Sequence, residues 1–222
     1  MTAAGRYLSN LISQGEHQQL DFKYAINDSK KIARSIAAFA NTDGGRLLIG
    51  VKDNGNIVGV YSDEEYYMIE AAAQMYCKPP VPFETKEWHV NGKSVLEIII
   101  AASAQKPVSA PDKDGRFMVY IRVNDQNLLA NTVLLKVWRR EKQGYGAMFR
   151  FEGPERFLID YLGNHPGITK SKFGRLAAIP LYKAEKILVN MVSANILKMV
   201  FTEKHVFYSL NPAYGEEWQK NG

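Results

Sequence analysis

Five basic residues, Lys170, Lys172, Arg175, Lys183 and Lys186, fall in a stretch that holds one acid, Glu185. Lys and Arg neutralise phosphate, Lys also reaches guanine, and an Asn such as Asn190 can pair with adenine, so this density points to nucleic-acid chemistry. Tyr182 adds an exposed ring among them, and Lys204 a further cation in a later turn. Earlier in the chain Lys30, Lys31 and Arg34 share one face of a helix, a basic stripe that could track a phosphate backbone. Lys23 and Arg122 fall in strand-like runs, where a charge needs a partner: a carboxylate such as Asp21 or Glu16, or a ligand phosphate. Each of these groups also has a plainer reading, as solvated helix surface or, for the C-terminal part, as a packing or dimerisation module. His205 reads as an exposed turn residue.

Other chemistries find less. No G-x-x-x-x-G-K-[ST] occurs, and Gly44-Gly45-Arg46-Leu47 runs directly into a strand, so a triphosphate has no cradle and an ATPase is not expected. Cys77 precedes Lys78-Pro79-Pro80 with no His nearby and reads as a small apolar residue. The four histidines, 17, 89, 165 and 205, show no ligand spacing, and no cofactor is expected.

The chain has 222 residues, 46% of them hydrophobic and 23% charged, values of a folded protein of one large or two small domains. No apolar run approaches the roughly 18 residues a membrane span needs. The start, MTAAGRYLSNLI, has no apolar leader block, and a single cysteine excludes an internal disulfide, so a cytoplasmic protein is expected. Net charge is +5; divided near Gln143-Gly144-Tyr145-Gly146, residues 1–143 hold 18 Lys and Arg against 16 Asp and Glu, and residues 144–222 hold 10 against 7.

The elements that must position these residues read as follows. Asp28 or Ser29 caps a helix to about Ala40, with Ile32, Ile36, Phe39 and Ala40 on its apolar face. Asn41-Thr42-Asp43-Gly44-Gly45 ends it, where glycine geometry is needed and backbone N–H groups could also meet a phosphate. Arg46 to Val51 is a buried strand, Asp53-Asn54-Gly55 a turn, and Ile57 to Val60 a returning strand. Ser62-x-x-Glu65 is a capping box for a helix to about Tyr76. Phe83 to Val90 and Lys93 to Ala101 form a hairpin around Asn91-Gly92, a loop runs from Ser103 to Gly115, and Phe117 to Val123 is a strand. Asn131 or Thr132 caps a helix to about Lys142. Adjacent hairpins with flanking helices predict an α+β fold with a mixed, mostly antiparallel sheet.

The second part reads as three helices, Pro154 to Gly163, Thr169 to Ala177 with Phe173, Leu176 and Ala177 inward, and Leu181 to about Ala194, then two strands, Ile196 to Phe201 and Val206 to Leu210. That order is the winged helix-turn-helix pattern, whose third helix enters the major groove. The expected domains are 1–143 and 144–222.

Residues Glu16 to Lys23, then Ile36-Ala37-Ala38-Phe39-Ala40-Asn41-Thr42-Asp43-Gly44-Gly45, then Leu48 to Gly55 and Ile57-Val58-Gly59 follow one another in a specific order. Together with Tyr120-Ile121-Arg122-Val123 they resemble the Schlafen-type AlbA-like DNA-binding domain over roughly residues 8–140. A trailing winged helix is similar to the arrangement of many bacterial members, read as DNA-binding or transcription-regulator-like. The resemblance therefore implies a nucleic-acid partner, DNA rather than RNA. It also implies an alternative. In nuclease members of that family an acidic trio lies at the places of Glu16, Asp21 and Asp53, which together would hold Mg²⁺ or Mn²⁺ and activate water for phosphodiester cleavage. Asp21 is shorter than the Glu usual there, and those nucleases join two such lobes where this chain has one, so a homodimer would have to supply the second. A protein-interaction adaptor is the third class.

Overall fold

The computed structural model describes residues 2–60, 63–144, 151 and 153–214. The chain forms two compact units that divide between Ala130 and Asn131.

The first unit runs α1 (Ala3–Ile12), β1 (Leu20–Lys23), α2 (Ser29–Asn41), β2 (Gly45–Ile49), α3 (Glu64–Gln74), β3 (Phe83–Val90), β4 (Lys93–Ile100), β5 (Ser109–Pro111), β6 (Phe117–Val123) and β7 (Gln126–Leu129). One sheet has the order β1-β2-β4-β3, with β1 and β2 parallel and the other pairs antiparallel. A second, antiparallel sheet has the order β5-β6-β7. The α+β expectation, with mostly antiparallel pairing and flanking helices, holds, divided over two sheets.

The central element is α2. Asp28 caps it by accepting from the N–H groups of Lys30 and Lys31. The four predicted face residues are buried, and so are Ala33, Ala37 and Ala38, because α2 packs against α3 as well as β5 and β6. The other face of the four-stranded sheet is covered by α1, whose Leu8 and Leu11 meet Leu20, Phe22, Leu48, Val51 and Val95. On β2, Leu47 and Ile49 join the α2 core while Leu48 joins the α1 core. Burial on both faces explains the unbroken apolar run that marked this strand.

Several expectations need correction. The returning strand at Ile57 to Val60 is only a bridge between Val51 and Ile57, with the Val60 N–H donating to the Ser94 carbonyl. The Ser103 to Gly115 loop contains β5, β7 is too short to show a pattern, and α1 was not foreseen although Thr2 caps it and Leu8 and Leu11 repeat at helical spacing. Ser62 of the capping box lies outside the described residues; Asp63, at the N-cap of α3, makes no side-chain capping bond. The β3–β4 hairpin is as expected, with Asn91 and Gly92 at φ 51° and 73°, the positive pair a type I′ turn requires.

The second unit runs α4 (Thr132–Gln143), α5 (Pro154–Gly163), α6 (Lys170–Leu176), α7 (Leu181–Ser193), β8 (Leu197–Phe201) and β9 (Val206–Leu210). The sequence reading attached α4 to the first part. In the structure its Val133 and Val137 join the core made by Leu158, Phe173, Ile187 and Leu188, so the compact second unit starts at Asn131. Residues 145 and 146 of the expected boundary lie outside the described residues. Thr169 caps α6 through the Lys172 N–H, and β8 and β9 pair antiparallel as a hairpin. Leu176, expected inward, is exposed at the end of α6, while Phe173 fills the core and Ala177 packs against it. Among the described residues no helix is long and apolar enough to cross a membrane.

Candidate functional site

The cations of the second unit divide according to what packs beside them. On α7, Ala184, Ile187, Leu188 and Met191 face the core. Tyr182, Lys183 and Lys186 are exposed, Tyr182 at 76%. Neither lysine side chain has a hydrogen-bond or ion-pair partner among the described residues. Glu185, the acid among them, is turned away: Lys136 and Thr132 of α4 and Lys170 of α6 all donate to it, Lys170 at 2.7 Å. Those hydrogen bonds pull its carboxyl down to about 2. Lys170 is therefore committed to Glu185 and is not a free cation. Asn190, expected as a base reader, is half-buried and accepts from Arg140 of α4. The packing of α4 on α7 thus engages Glu185 and Asn190 and leaves Tyr182, Lys183 and Lys186 exposed. Lys172 sits 5.3 Å over the Tyr161 ring, while Arg175 on α6 and Lys204 in the β8–β9 turn are exposed.

In the first unit the singled-out charges mostly face one another. Arg122 is 2% exposed. It donates to Asp21 and to the Leu20 carbonyl at 3.3 Å, donates to Asn127 Oδ1 at 3.1 Å, and lies 5.0 Å from the centre of the Phe39 ring. Lys23 Nζ is 2.7 Å from the second Asp21 oxygen and 3.9 Å from Glu16. The expectation that strand charges need partners is met by Asp21, so Arg122 is a buried structural group and not a surface contact. Lys30 is 5.9 Å from the Tyr76 ring, whereas Lys31 and Arg34 line a cavity with Lys23 and Arg122. Arg34, expected on a solvated face, is half-buried and donates through Nε to the Pro111 carbonyl.

The acidic trio is brought together only in part. Glu16 and Asp21 are neighbours, and burial, together with a hydrogen bond to Asp21, raises the Glu16 carboxyl above its ordinary value. Asp53 is exposed in its turn, and among the described residues no group of three His, Cys, Asp or Glu is placed to hold a metal ion. Lys23 and Arg122 occupy the positions beside Asp21 that a cation would need.

The most specific motif is spent on packing. Asn41 is buried; its Nδ2 donates to the Val108 and Tyr120 carbonyls and its Oδ1 accepts from the Val108 N–H, all at 2.7 Å. It thereby ties the end of α2 to β5 and β6. A Cβ on Gly45 would fall 2.4 Å from the Phe39 ring, and one on Gly44, at φ 69°, 2.6 Å from the Ile100 carbonyl. The Gly44 N–H donates to the Phe39 carbonyl and is not open to a phosphate. Sequence reasoning passed over Glu97, a fully buried carboxylate that accepts from Tyr7 and Trp88 at 2.8 Å and pairs with Arg46 at 3.0 Å. Its signal was a lone acid in the apolar run Val95 to Ala102, and it fastens α1 to the sheet.

Solved structures similar to the chain include the crystal structure of the DIP2311 protein from Corynebacterium diphtheriae, at 22% identity and a TM-score of 0.45 over 65% of this chain. The match spans only 34% of that protein's chain, about a third of its length. Another is the solution structure of the N-terminal domain of a RecG-related protein from Nitrosomonas europaea, at 23% identity and a TM-score of 0.39, covering 60% of this chain and 97% of that domain. No protein of curated function matches. The Schlafen AlbA_2 family matches over residues 16–131, from the Glu16 loop through β7, and the chain belongs to that family.

Proposed function

We propose that the chain is a DNA-binding, transcription-regulator-like protein and that its second unit is a winged helix-turn-helix, with α7 as the helix presented to the major groove and the β8–β9 hairpin as the wing. The observation that carries this reading is the exposed face near the start of α7, where Tyr182, Lys183 and Lys186 are exposed and the lysines have no partner among the described residues, while Glu185 is held by Lys136 and Lys170. Residues near the start of a recognition helix are those that reach base edges. Arg175 and Lys172 on α6 and Lys204 in the wing turn supply phosphate contacts beside it. Residues 131–222 hold 14 Lys and Arg against 8 Asp and Glu, a net +6, which supports an anionic partner for this unit.

Fluorescence anisotropy with labelled duplex DNA over a salt series tests the reading. Binding that weakens steeply with salt is expected, because the affinity comes largely from counterion release. Lys183→Glu combined with Lys186→Glu should lower affinity about 100-fold and reduce the salt slope by about 2. No binding at low salt overturns the reading, and unchanged binding by the double variant removes α7 as the contact. Single-stranded and duplex RNA competitors distinguish the DNA preference.

A further inference from the structure

We propose that the cavity lined by β1, the first turns of α2 and the β6–β7 hairpin is a binding site for a nucleotide-sized phosphate monoester. Every residue of this site belongs to the first unit, whereas α7 belongs to the second. Its volume is about 420 Å³, within the range of roughly 300–1,000 Å³ seen for small-ligand sites.

The floor is a built polar network. Arg122 donates to Asp21 and Asn127, and Asn127 Nδ2 donates to Ser35 Oγ at 2.9 Å. Arg122 Nε is a buried donor that has no acceptor among the described residues. Arg122 is 2% exposed, so this donor backs the floor with its charge and does not itself reach a ligand. Two further cations have unused capacity. Lys31 is exposed and its ammonium has no partner among the described residues. Among the described residues Arg34 uses only Nε, on the Pro111 carbonyl, which leaves both Nη groups for the forked recognition of a phosphate. The N–H groups of Lys30 and Lys31 are already taken by Asp28, so side chains and not the helix end would hold the anion.

The acids in the lining narrow the ligand further. Lys23 and Arg122 neutralise Asp21, but Asp28 and Asp125 remain at the same cavity and would repel a bare anion. A ligand that fits this mixture has a phosphate at one end and hydrogen-bond donors at the other. Ile26, Ile32 and Tyr120 add apolar wall that a flat ring can cover. A nucleoside monophosphate has this pattern: phosphate for Lys31 and Arg34, sugar hydroxyls or a base amine for the carboxylates, and a ring for the wall. The same group could arrive free or as the phosphorylated end of a strand.

Isothermal titration calorimetry of the full chain with adenosine 5′-monophosphate, adenosine and inorganic phosphate tests the assignment. The nucleotide should bind at least tenfold more tightly than either fragment, and Lys31→Ala should weaken it about tenfold, the loss of one charge-assisted contact. Lys31 is exposed, so this variant keeps its fold; Arg34→Lys, which keeps the charge but loses the fork, should weaken binding similarly. A parallel titration compares a short oligonucleotide with and without a 5′-phosphate. A Lys31-dependent preference for the phosphorylated strand, without binding of the free nucleotide, assigns the site to strand ends. Absence of phosphate-dependent binding by both the nucleotide and the strand overturns the proposal, as does equal affinity for adenosine and its monophosphate, or an unaffected Lys31→Ala. None of these probes is duplex DNA, so a failure here leaves the α7 reading standing, and the reverse also holds.

Discussion

The two units use the same residue types in opposite ways. Residues 1–130 hold 14 Lys and Arg against 15 Asp and Glu, so the whole positive excess of the chain lies after Ala130. In the first unit most of the singled-out basic side chains, Lys31 apart, are fitted to acids and carbonyls: Arg122 and Lys23 to Asp21, Arg46 to Glu97, Arg34 to Pro111. In the second, acidic Glu185 is absorbed by Lys136 and Lys170 while Lys183 and Lys186 have no partner among the described residues. Net charge says little about a partner until the boundary is drawn where the packing draws it. Moving α4 to its own core takes Lys136, Arg139, Arg140 and Lys142 with it, and the basic character of one unit becomes clear.

The sharpest way to break this comparison is to remove a cation from each unit. Arg122→Met leaves Asp21, 3% exposed, with Lys23 as its one remaining cation. Removing one partner of a buried pair costs about 3–5 kcal/mol, read as a lower urea midpoint for the first unit. Lys186→Met, at an exposed and unpaired position, should change stability by less than about 0.5 kcal/mol yet weaken DNA binding. Comparable destabilisation by the two substitutions would mean that burial does not separate their roles.

Glu185 sharpens the same point from the acidic side. Its carboxyl titrates at about 2 in the folded chain against an ordinary 4.5, held down by hydrogen bonds from Lys136, Lys170 and Thr132. A depressed folded value means that its stabilisation is complete above pH 4.5 and is lost as pH falls toward 2. Glu185→Gln should therefore destabilise the second unit by about 1–2 kcal/mol at pH 7, with the gap to wild type closing over that acid window. Because the substitution frees two lysines, DNA affinity should hold or rise while stability falls. A parallel loss of both would show that the α4–α6–α7 arrangement, not charge, limits binding.

How much of this was legible beforehand depended on whether local chemistry carried the information. The Asn91-Gly92 turn, the Asp28 and Asn131 caps and the three helices before the hairpin were readable because each is set by its own residues. The membership of α4 was not, since an apolar stripe such as Val133 and Val137 does not state which core it joins. Nor were β5 and β7, three and four residues long, which exist only because β6 offers both edges. At the candidate sites, residue type was readable and pairing was not. Asn190 and Lys170 read as exposed until α4 and Glu185 supplied their partners, and Lys30, Lys31 and Arg34 read as one stripe until two of them turned to a cavity and one to Tyr76. The Asn41–Gly45 motif was recognisable as sequence, but that its side-chain bonds serve β5 and β6 depends on contacts 67 and 79 residues away along the chain.

The smallest expected effect is at Asp53. A working acidic trio would make this residue as sensitive as Asp21, and its replacement would abolish any stabilisation of the fold by Mn²⁺. The structure separates the two. Asp21 is buried between Lys23 and Arg122, while Asp53 is exposed in the turn closed by the Val51–Ile57 bridge, with no part in a three-acid group among the described residues. Asp53→Ala should then leave the thermal midpoint within about 1–2 °C, the size of an exposed change of a few tenths of a kcal/mol, and leave any Mn²⁺-induced shift unaltered. Thermal scans of both proteins with and without 1 mM-scale Mn²⁺ decide it. A metal-induced shift present in wild type and lost in Asp53→Ala would bring the acids back into one site, and the first unit, with its paired cations, would then have to open to admit the ion.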